Sequence, residues 1–180
     1  MKKENSVMYI LRLTVTLLLI CAAVAAVLAV VNAITKGPIA DIQAQKTQEA
    51  IAVVLPGAGD VEEMPLSGDT GIVSAIYTSE AGFAVEVTPG GFDGEITMMV
   101  GIADGAVTGI SVISHTETPG LGAVAAANNA KGEAFRGQFV GQSGVLAVGD
   151  QIDGMSGATI TSKAVVTGVN AALEFVENLG

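Results

Sequence analysis

Two hydroxyl side chains near the C-terminus, Ser156 and Thr159, lie where the residue types are best suited to chemistry. They belong to segment 153–159 (DGMSGAT), in which small residues lead into an apolar-periodic helix predicted over 160–179. A helix N-terminus carries unpaired N–H groups and the positive end of the helix dipole, so it suits an anion such as phosphate. The structural alternative is an ordinary cap, in which a hydroxyl accepts a backbone hydrogen bond.

Familiar catalytic motifs do not fit this sequence. A nucleophile elbow has the pattern Gly-x-Ser-x-Gly, whereas here Gly157 follows Ser156 directly. A catalytic triad would depend on His115, the only histidine. There is no P-loop, and Lys163, one helical turn beyond Thr159, is explained more simply as a solvated side chain. We therefore expect no catalytic acid, base or nucleophile.

Composition excludes other classes of function. With one histidine and one cysteine, Cys21, the chain offers no His/Cys metal cluster and no internal disulfide. From residue 36 onward there are 5 Lys/Arg and 17 Asp/Glu, a net charge of −12. Such an acidic domain argues against nucleic acid as a partner.

A second polar stretch, 114–122 (SHTETPGLG), follows a predicted strand. It combines polar side chains with a rigid Pro119-Gly120 turn and exposes backbone N–H groups near two glycines. A loop of this kind can hydrogen-bond a flat polar heterocycle. The alternative is a plain connecting loop, which is what most such segments are.

The N-terminal region predicts a membrane anchor. Residues 13–35 are 23 uncharged, mostly apolar residues, enough to span a bilayer and longer than the apolar part of a signal peptide. Lys2, Lys3 and Arg12 precede the span, and only Lys36 follows closely. The positive-inside rule then places the N-terminus in the cytoplasm and the rest outside the cell (inner) membrane, with one helix in contact with lipid.

The remaining elements predict an α+β fold, with an antiparallel sheet and flanking helices after the single transmembrane helix. The Asp104-Gly105 pair predicts a tight hairpin. The predicted domains are a cytoplasmic start (1–9), the transmembrane helix (10–34), a linker helix and acidic loop (35–71), and the main domain (72–180). Predicted elements are a break at 35–38, helices at 39–54, 123–130 and 160–179, and strands at 72–78, 82–88, 95–103, 106–114 and 145–148.

Five sequence blocks, in this order after an anchor, carry a family resemblance. The two most specific are 117–122 (ETPGLG) and 156–159 (SGAT); the others are 31–35 (VNAIT), 54–58 (VLPGA) and 91–96 (GFDGEI). With them the chain resembles, nearly end to end, the FMN-binding domain of the G subunit of Rnf electron-transport complexes. That subunit is similar to the C subunit of the sodium-translocating NADH:quinone oxidoreductase.

The resemblance implies one covalent FMN. Its phosphate would be joined to the hydroxyl of Thr159 by a flavin transferase that recognises a motif beginning at Asp153. The resemblance also implies that three loop residues lie near the flavin, and that the rest of the SGAT block helps to bind it. These cofactor-binding residues are Glu117, Thr118, Leu121, Ser156, Gly157 and Ala158.

The same resemblance implies a function. The chain would be a membrane-anchored flavoprotein that relays electrons within a complex carrying out ferredoxin:NAD oxidoreduction, coupled to Na⁺ or H⁺ transport. It would be part of a translocase without being catalytic alone, and its partners would be the other membrane subunits. Two alternatives stay open: a stand-alone extracytoplasmic flavoprotein of another pathway, and a non-redox anchored module in which Ser156 and Thr159 are mere caps.

Overall fold

The computed structural model describes residues 4–66 and 70–179, with side chains from residue 7 onward. The chain divides into two compact units, Met1–Gln45 and Lys46–Gly180. Each unit forms most of its contacts within itself, as separate structural bodies do.

The first unit is helical. Helix α1 is assigned over Glu4–Val54 without interruption, with Pro38 inside it, so the predicted break at 35–38 is wrong. A proline inside a helix costs about 3 kcal/mol, and the long helical stretches on either side offset that cost. Among the described residues, α1 is the one helix long and apolar enough to cross a membrane; an 18-residue window of it has a mean hydropathy of 2.8 and is fully exposed. It is therefore a candidate membrane span.

The second unit is built on a five-stranded antiparallel sheet in which the strands are neighbours in chain order. Four strands confirm the sequence predictions, whereas β1 falls in a stretch predicted as a loop. Asp104 and Gly105 both have positive φ, 52° and 74°, and join a two-residue hairpin, as their types predict. The strands are β1 Glu62–Met64, β2 Val73–Ser79, β3 Gly82–Val87, β4 Thr97–Ala103 and β5 Ala106–Ser114.

Three helical segments follow the sheet. A short 3₁₀ helix, Gly122–Ala126, and helix α2, Ala130–Gly137, replace the single helix predicted over 123–130. The two are separated because Asn129 caps α2 with its side chain, accepting from the N–H groups of Lys131 and Gly132. The predicted strand 145–148 is wrong, since only Val148 forms a bridge, with Ile152. Helix α3, Thr159–Glu177, confirms the predicted C-terminal helix.

The sheet is covered on both faces, which explains why five consecutive residues of β4 are buried. On one face α3 packs its apolar stripe against β3 and β4, with Val165 and Val169 fully buried. On the other face the last turns of α1 contribute Val54 to a smaller cluster. The hydroxyl of Thr108 donates to Val54 O at 2.5 Å and fixes that contact. These two layers place the start of α3 beside the loop that follows β5.

Candidate functional site

One cavity of about 330 Å³ joins three segments: the turn before β4, the loop after β5 and the start of α3. Its volume is in the range of small-molecule pockets, about 300–1,000 Å³. The cavity brings together the two stretches that the sequence singled out, which are more than 30 residues apart in the chain. Its walls consist of Phe92, Glu117, Thr118, Leu121, Gly122, Gly157, Ala158, Thr159, Ile160 and Thr161.

Glu117 holds the three segments together. Its side chain is only 5% exposed. Oε1 accepts from the N–H groups of Phe92 at 2.7 Å and Asp93 at 3.2 Å. Oε2 accepts from the hydroxyl of Thr161 at 2.5 Å. We call this set of hydrogen bonds the Glu117 clasp; it ties the turn and the first turn of α3 to the loop after β5.

The clasp favours an ionised carboxylate. Burial raises the pKa of Glu117, but the hydrogen bonds from Thr161, Asp93 and Phe92, together with the nearby His115, outweigh burial and leave the pKa below its usual value. Each of these donors binds the charged form more strongly than the neutral form. The cavity wall therefore carries a negative charge at neutral pH.

Two glycines make room for that carboxylate. A methyl group on Gly91 would overlap Glu117 Oε1, and one on Gly122 would overlap Glu117 Oε2. The same methyl group on Gly122 would lie 2.5 Å from the hydroxyl of Thr161. Only glycine allows the backbone to come this close to the clasp at both positions.

The start of α3 lacks a side-chain cap. The N-cap residue is Ala158, and neither Ser156 nor Thr159 makes a capping hydrogen bond. The capping alternative is therefore wrong. The N–H groups of Thr159, Ile160 and Thr161 have no carbonyl of a preceding turn to bind, so they stay available to an anion. Thr159 is the first residue of the helix, and its side chain is exposed at the cavity.

The loop before α3 is held from inside the protein. The fully buried hydroxyl of Ser162 accepts from Met155 N–H and donates to Ala158 O, both at 2.9 Å. The side-chain amide of Gln138 binds both backbone groups of Asp153, accepting from its N–H at 2.7 Å and donating to its oxygen at 3.3 Å. These bonds fix the backbone and leave the side chain of Asp153 exposed.

Large apolar side chains surround the cavity. Phe92 is 67% exposed, Leu121 45% and Ile160 53%. Each comes from a different one of the three segments. Together they form an apolar rim, which we name the Phe92–Leu121–Ile160 rim, around a wall that contains one charge. Such a mixture suits an aromatic ligand with a few polar atoms.

His115, the only histidine, lies next to this site without lining it. Its Nδ1 is buried and has no hydrogen-bond partner among the described residues. The part of the chain that the structure describes contains no group of three His, Cys, Asp or Glu side chains placed to hold a metal ion.

The structure brings together six of the eight residues predicted for the site: Glu117, Thr118, Leu121, Gly157, Ala158 and Thr159. Ser156 and Asp153, in contrast, are exposed and are not among the cavity-lining residues that the structure describes. The roles proposed for all eight in binding and recognition stay predictions.

Sequence reasoning missed four cavity residues, Phe92, Gly122, Ile160 and Thr161, as members of the site. An aromatic residue between two glycines, as at Phe92, is a signal that was available. Thr161 gave none, because a threonine on the buried face of a helix looks like part of the core until its partner is known.

These residues fit FMN. The uncapped start of α3 can hold a phosphate, and the exposed Thr159 hydroxyl lies beside it. The apolar rim and the loop after β5 can enclose a flat ring system, which supplies the electron transfer when it is bound. The fold and the site thus define a flavin-binding domain that follows a candidate membrane helix.

Comparison with known proteins agrees with this class. The sequence model of the FMN-binding domain family matches residues 91–174. The chain is 34% identical to the G subunit of the Na⁺-translocating ferredoxin:NAD⁺ oxidoreductase complex of Acetobacterium woodii, over 94% of this chain and 93% of that protein. It is 34% identical to the G subunit of the ion-translocating oxidoreductase complex of Methanosarcina acetivorans, over 93% and 94%. It is 33% identical to the proton-translocating counterpart of Clostridium ljungdahlii, over 97% and 94%.

The chain therefore belongs to the family of G subunits of Rnf-type ion-translocating oxidoreductase complexes, and it contains the FMN-binding domain of that family. The predicted resemblance, the α+β fold class and FMN as the cofactor are confirmed. The protein is an electron-transfer flavoprotein subunit, and its partners include other subunits of such a complex.

Proposed function

We propose that the chain relays electrons through one FMN joined covalently to Thr159 Oγ1. The observation that carries this proposal is the exposed hydroxyl of Thr159 at the uncapped start of α3, facing the cavity that Glu117 closes from the other side. A phosphodiester there keeps one negative charge, which the helix dipole stabilises by about 0.3–1 kcal/mol.

The attachment requires a second protein. The bond from Thr159 Oγ1 to phosphorus forms as the hydroxyl loses its proton and as an activated flavin nucleotide loses the group esterified to that phosphorus. Nothing at the site supplies a general base, since His115 lies outside the cavity wall. We therefore assign the step to a flavin transferase that recognises the segment beginning at Asp153, whose side chain is exposed on a fixed backbone. Ser156, exposed three residues before Thr159, belongs to this recognised segment.

We propose the same overall reaction for the complex as the names of two relatives state, ferredoxin:NAD⁺ oxidoreduction coupled to ion transport. Those two relatives are named for different ions, sodium and protons, so similarity to them does not choose between the ions. In this reaction the chain is one relay, and it has no catalytic acid or base of its own.

We further propose that residues 10–34 span the cell membrane and contact lipid, that residues 35–71 act as a linker, and that 72–180 form the flavin domain outside the cytoplasm. The charge asymmetry around the span supports this orientation. A reporter fused after residue 180 should be active outside the cytoplasm, and activity inside would contradict the orientation.

The experiment that tests the covalent site is expression of the full chain with its flavin transferase in cells, followed by a denaturing gel. Flavin fluorescence should stay with the wild-type band, and peptide mass spectrometry should find the FMN mass on Thr159. Thr159→Ala should abolish the fluorescence, whereas the matched variant Ser156→Ala should keep a flavin on Thr159. Covalent flavin on Thr159→Ala would refute the site, and its absence from the wild type would refute the proposal.

A further inference from the structure

Glu117 is a buried negative charge in the cavity wall without a positive partner at bonding distance. In the described part of the chain no lysine or arginine forms an ion pair with it; its partners are two backbone N–H groups and one hydroxyl. A carboxylate bound only by neutral donors keeps its full charge, and little water is present to screen it. Any group in this cavity therefore experiences a negative field from one side.

We propose that Glu117 lowers the reduction potential of the flavin in this cavity, and that Thr161 is the positioning residue that keeps the carboxylate ionised and in place. This inference rests on the proposed function, because it requires FMN to be bound here. An electron delivered by a partner redox centre adds negative charge to the cavity. The fixed charge of Glu117 opposes that addition, so the reduced form is less stable than it would be beside a neutral wall.

The structure offers an almost isosteric neutral variant. In Glu117→Gln, the amide oxygen can accept from Phe92 and Asp93 as Oε1 does now. The amide nitrogen can donate to the hydroxyl of Thr161, which accepts as well as donates. The clasp is thus kept while its charge is removed.

The test is a redox titration of the full-length holoprotein in detergent, followed by its visible absorbance, after flavin occupancy has been measured. Glu117→Gln should carry covalent FMN at the wild-type occupancy and have a more positive potential. The control Asp93→Asn removes a neighbouring but exposed charge and should shift the potential much less, because water screens that side chain. Equal potentials in the wild type and Glu117→Gln would overturn the inference while leaving the covalent site intact.

Glu117→Asp separates charge from shape, since it keeps the charge but shortens the side chain by one carbon. Its potential should stay nearer to that of the wild type than to that of Glu117→Gln. If both variants shift the potential equally in the positive direction, the effect comes from a loosened clasp, and the inference is wrong. A wild-type protein without covalent FMN would instead refute the proposed function.

Thr161→Val decides the question if Glu117→Gln cannot hold the flavin. This variant keeps the carboxylate but removes the hydroxyl that favours its charged form, so the pKa of Glu117 rises. The ionisable groups of the surrounding segments, Asp93, His115 and Lys163, are the same in both proteins. The potential of Thr161→Val should therefore rise above that of the wild type as the pH falls, and the two should converge at alkaline pH. Identical curves would overturn the inference.

Discussion

The two sides of the cavity are built in opposite ways. On one side, Glu117 is buried and both of its oxygens are occupied. On the other side, Thr159 and Ser156 are exposed and neither caps the helix. A buried charge is tolerated only when it is well bonded, whereas an exposed hydroxyl costs the fold nothing to leave free.

This difference indicates a division of labour. The Glu117 side is suited to holding a fixed environment, because moving any of its parts breaks a hydrogen bond to a charge. The Thr159 side is suited to being reached by another protein, because its side chains are free while its backbone is held from within by Ser162 and Gln138. Variants on the first side should therefore affect stability, and variants on the second side should affect flavin attachment.

The largest loss of stability is expected from Gly122→Ala. The added methyl group overlaps Glu117 Oε2 and crowds the hydroxyl of Thr161. Overpacking of this kind costs about 1–3 kcal/mol, and loss of the clasp adds to that cost. Chemical denaturation followed by circular dichroism measures it. Gly59→Ala is the matched control, since no atom lies within 4 Å of its added methyl group and its φ is not positive; an equal loss in both variants would contradict the packing argument.

Thr161→Val should come next. The two side chains have nearly the same shape, so the change removes one hydrogen bond to a charged oxygen, which is worth about 1.5–3 kcal/mol. The free energy of unfolding at neutral pH measures the loss. Thr159→Val, an exposed change two residues earlier, should alter stability by less than about 0.5 kcal/mol. The reverse order of the two effects would break the comparison between the two sides.

Acid should weaken the Glu117 side selectively. The folded-state pKa of Glu117 lies below its usual value of 4.5, so its contribution to stability is fully present above pH 4.5 and is lost as the pH falls through the folded-state pKa. The stability difference between the wild type and Glu117→Gln should therefore shrink below pH 4.5 and be constant from there to neutral pH. A difference that grows in acid would show that the carboxylate is not held in its charged form.

Ser162→Ala tests how the presenting side is held. Removing this buried hydroxyl leaves Met155 N–H without its partner, at a cost of about 1 kcal/mol. The loop should become more open to proteolysis, while Thr159 keeps its attached flavin. Limited proteolysis with mass spectrometry locates the cleavage, and an unchanged cleavage pattern would show that Gln138 alone holds the loop.

The smallest effect is expected from Ser156→Ala. Since Ser156 is exposed and caps nothing, stability should change by less than about 0.5 kcal/mol. A loss of about 1 kcal/mol or more would mean that Ser156 acts as a helix cap after all, and the contrast between the two sides would fail.

Much of the fold was predictable because it depends on local patterns. The hairpin at Asp104-Gly105 was predictable because both residues tolerate positive φ. The apolar anchor and the C-terminal helix follow from composition and period. The errors also have local causes: Pro38 suggested a break in a helix that continues, and the short strand β1 exists only because β2 supplies its partner.

The sequence by itself determined which residue types are available near Thr159, the absence of a metal cluster or catalytic triad, and the family. Only the tertiary structure decided that Glu117 and Thr161, 44 residues apart, share a hydrogen bond. It also decided that Ala158 is the cap position, which leaves Thr159 free at the cavity. The physical reason is that a hydrogen-bond partner and a degree of burial are set by how the sheet and α3 pack, and neither is a property of one segment alone.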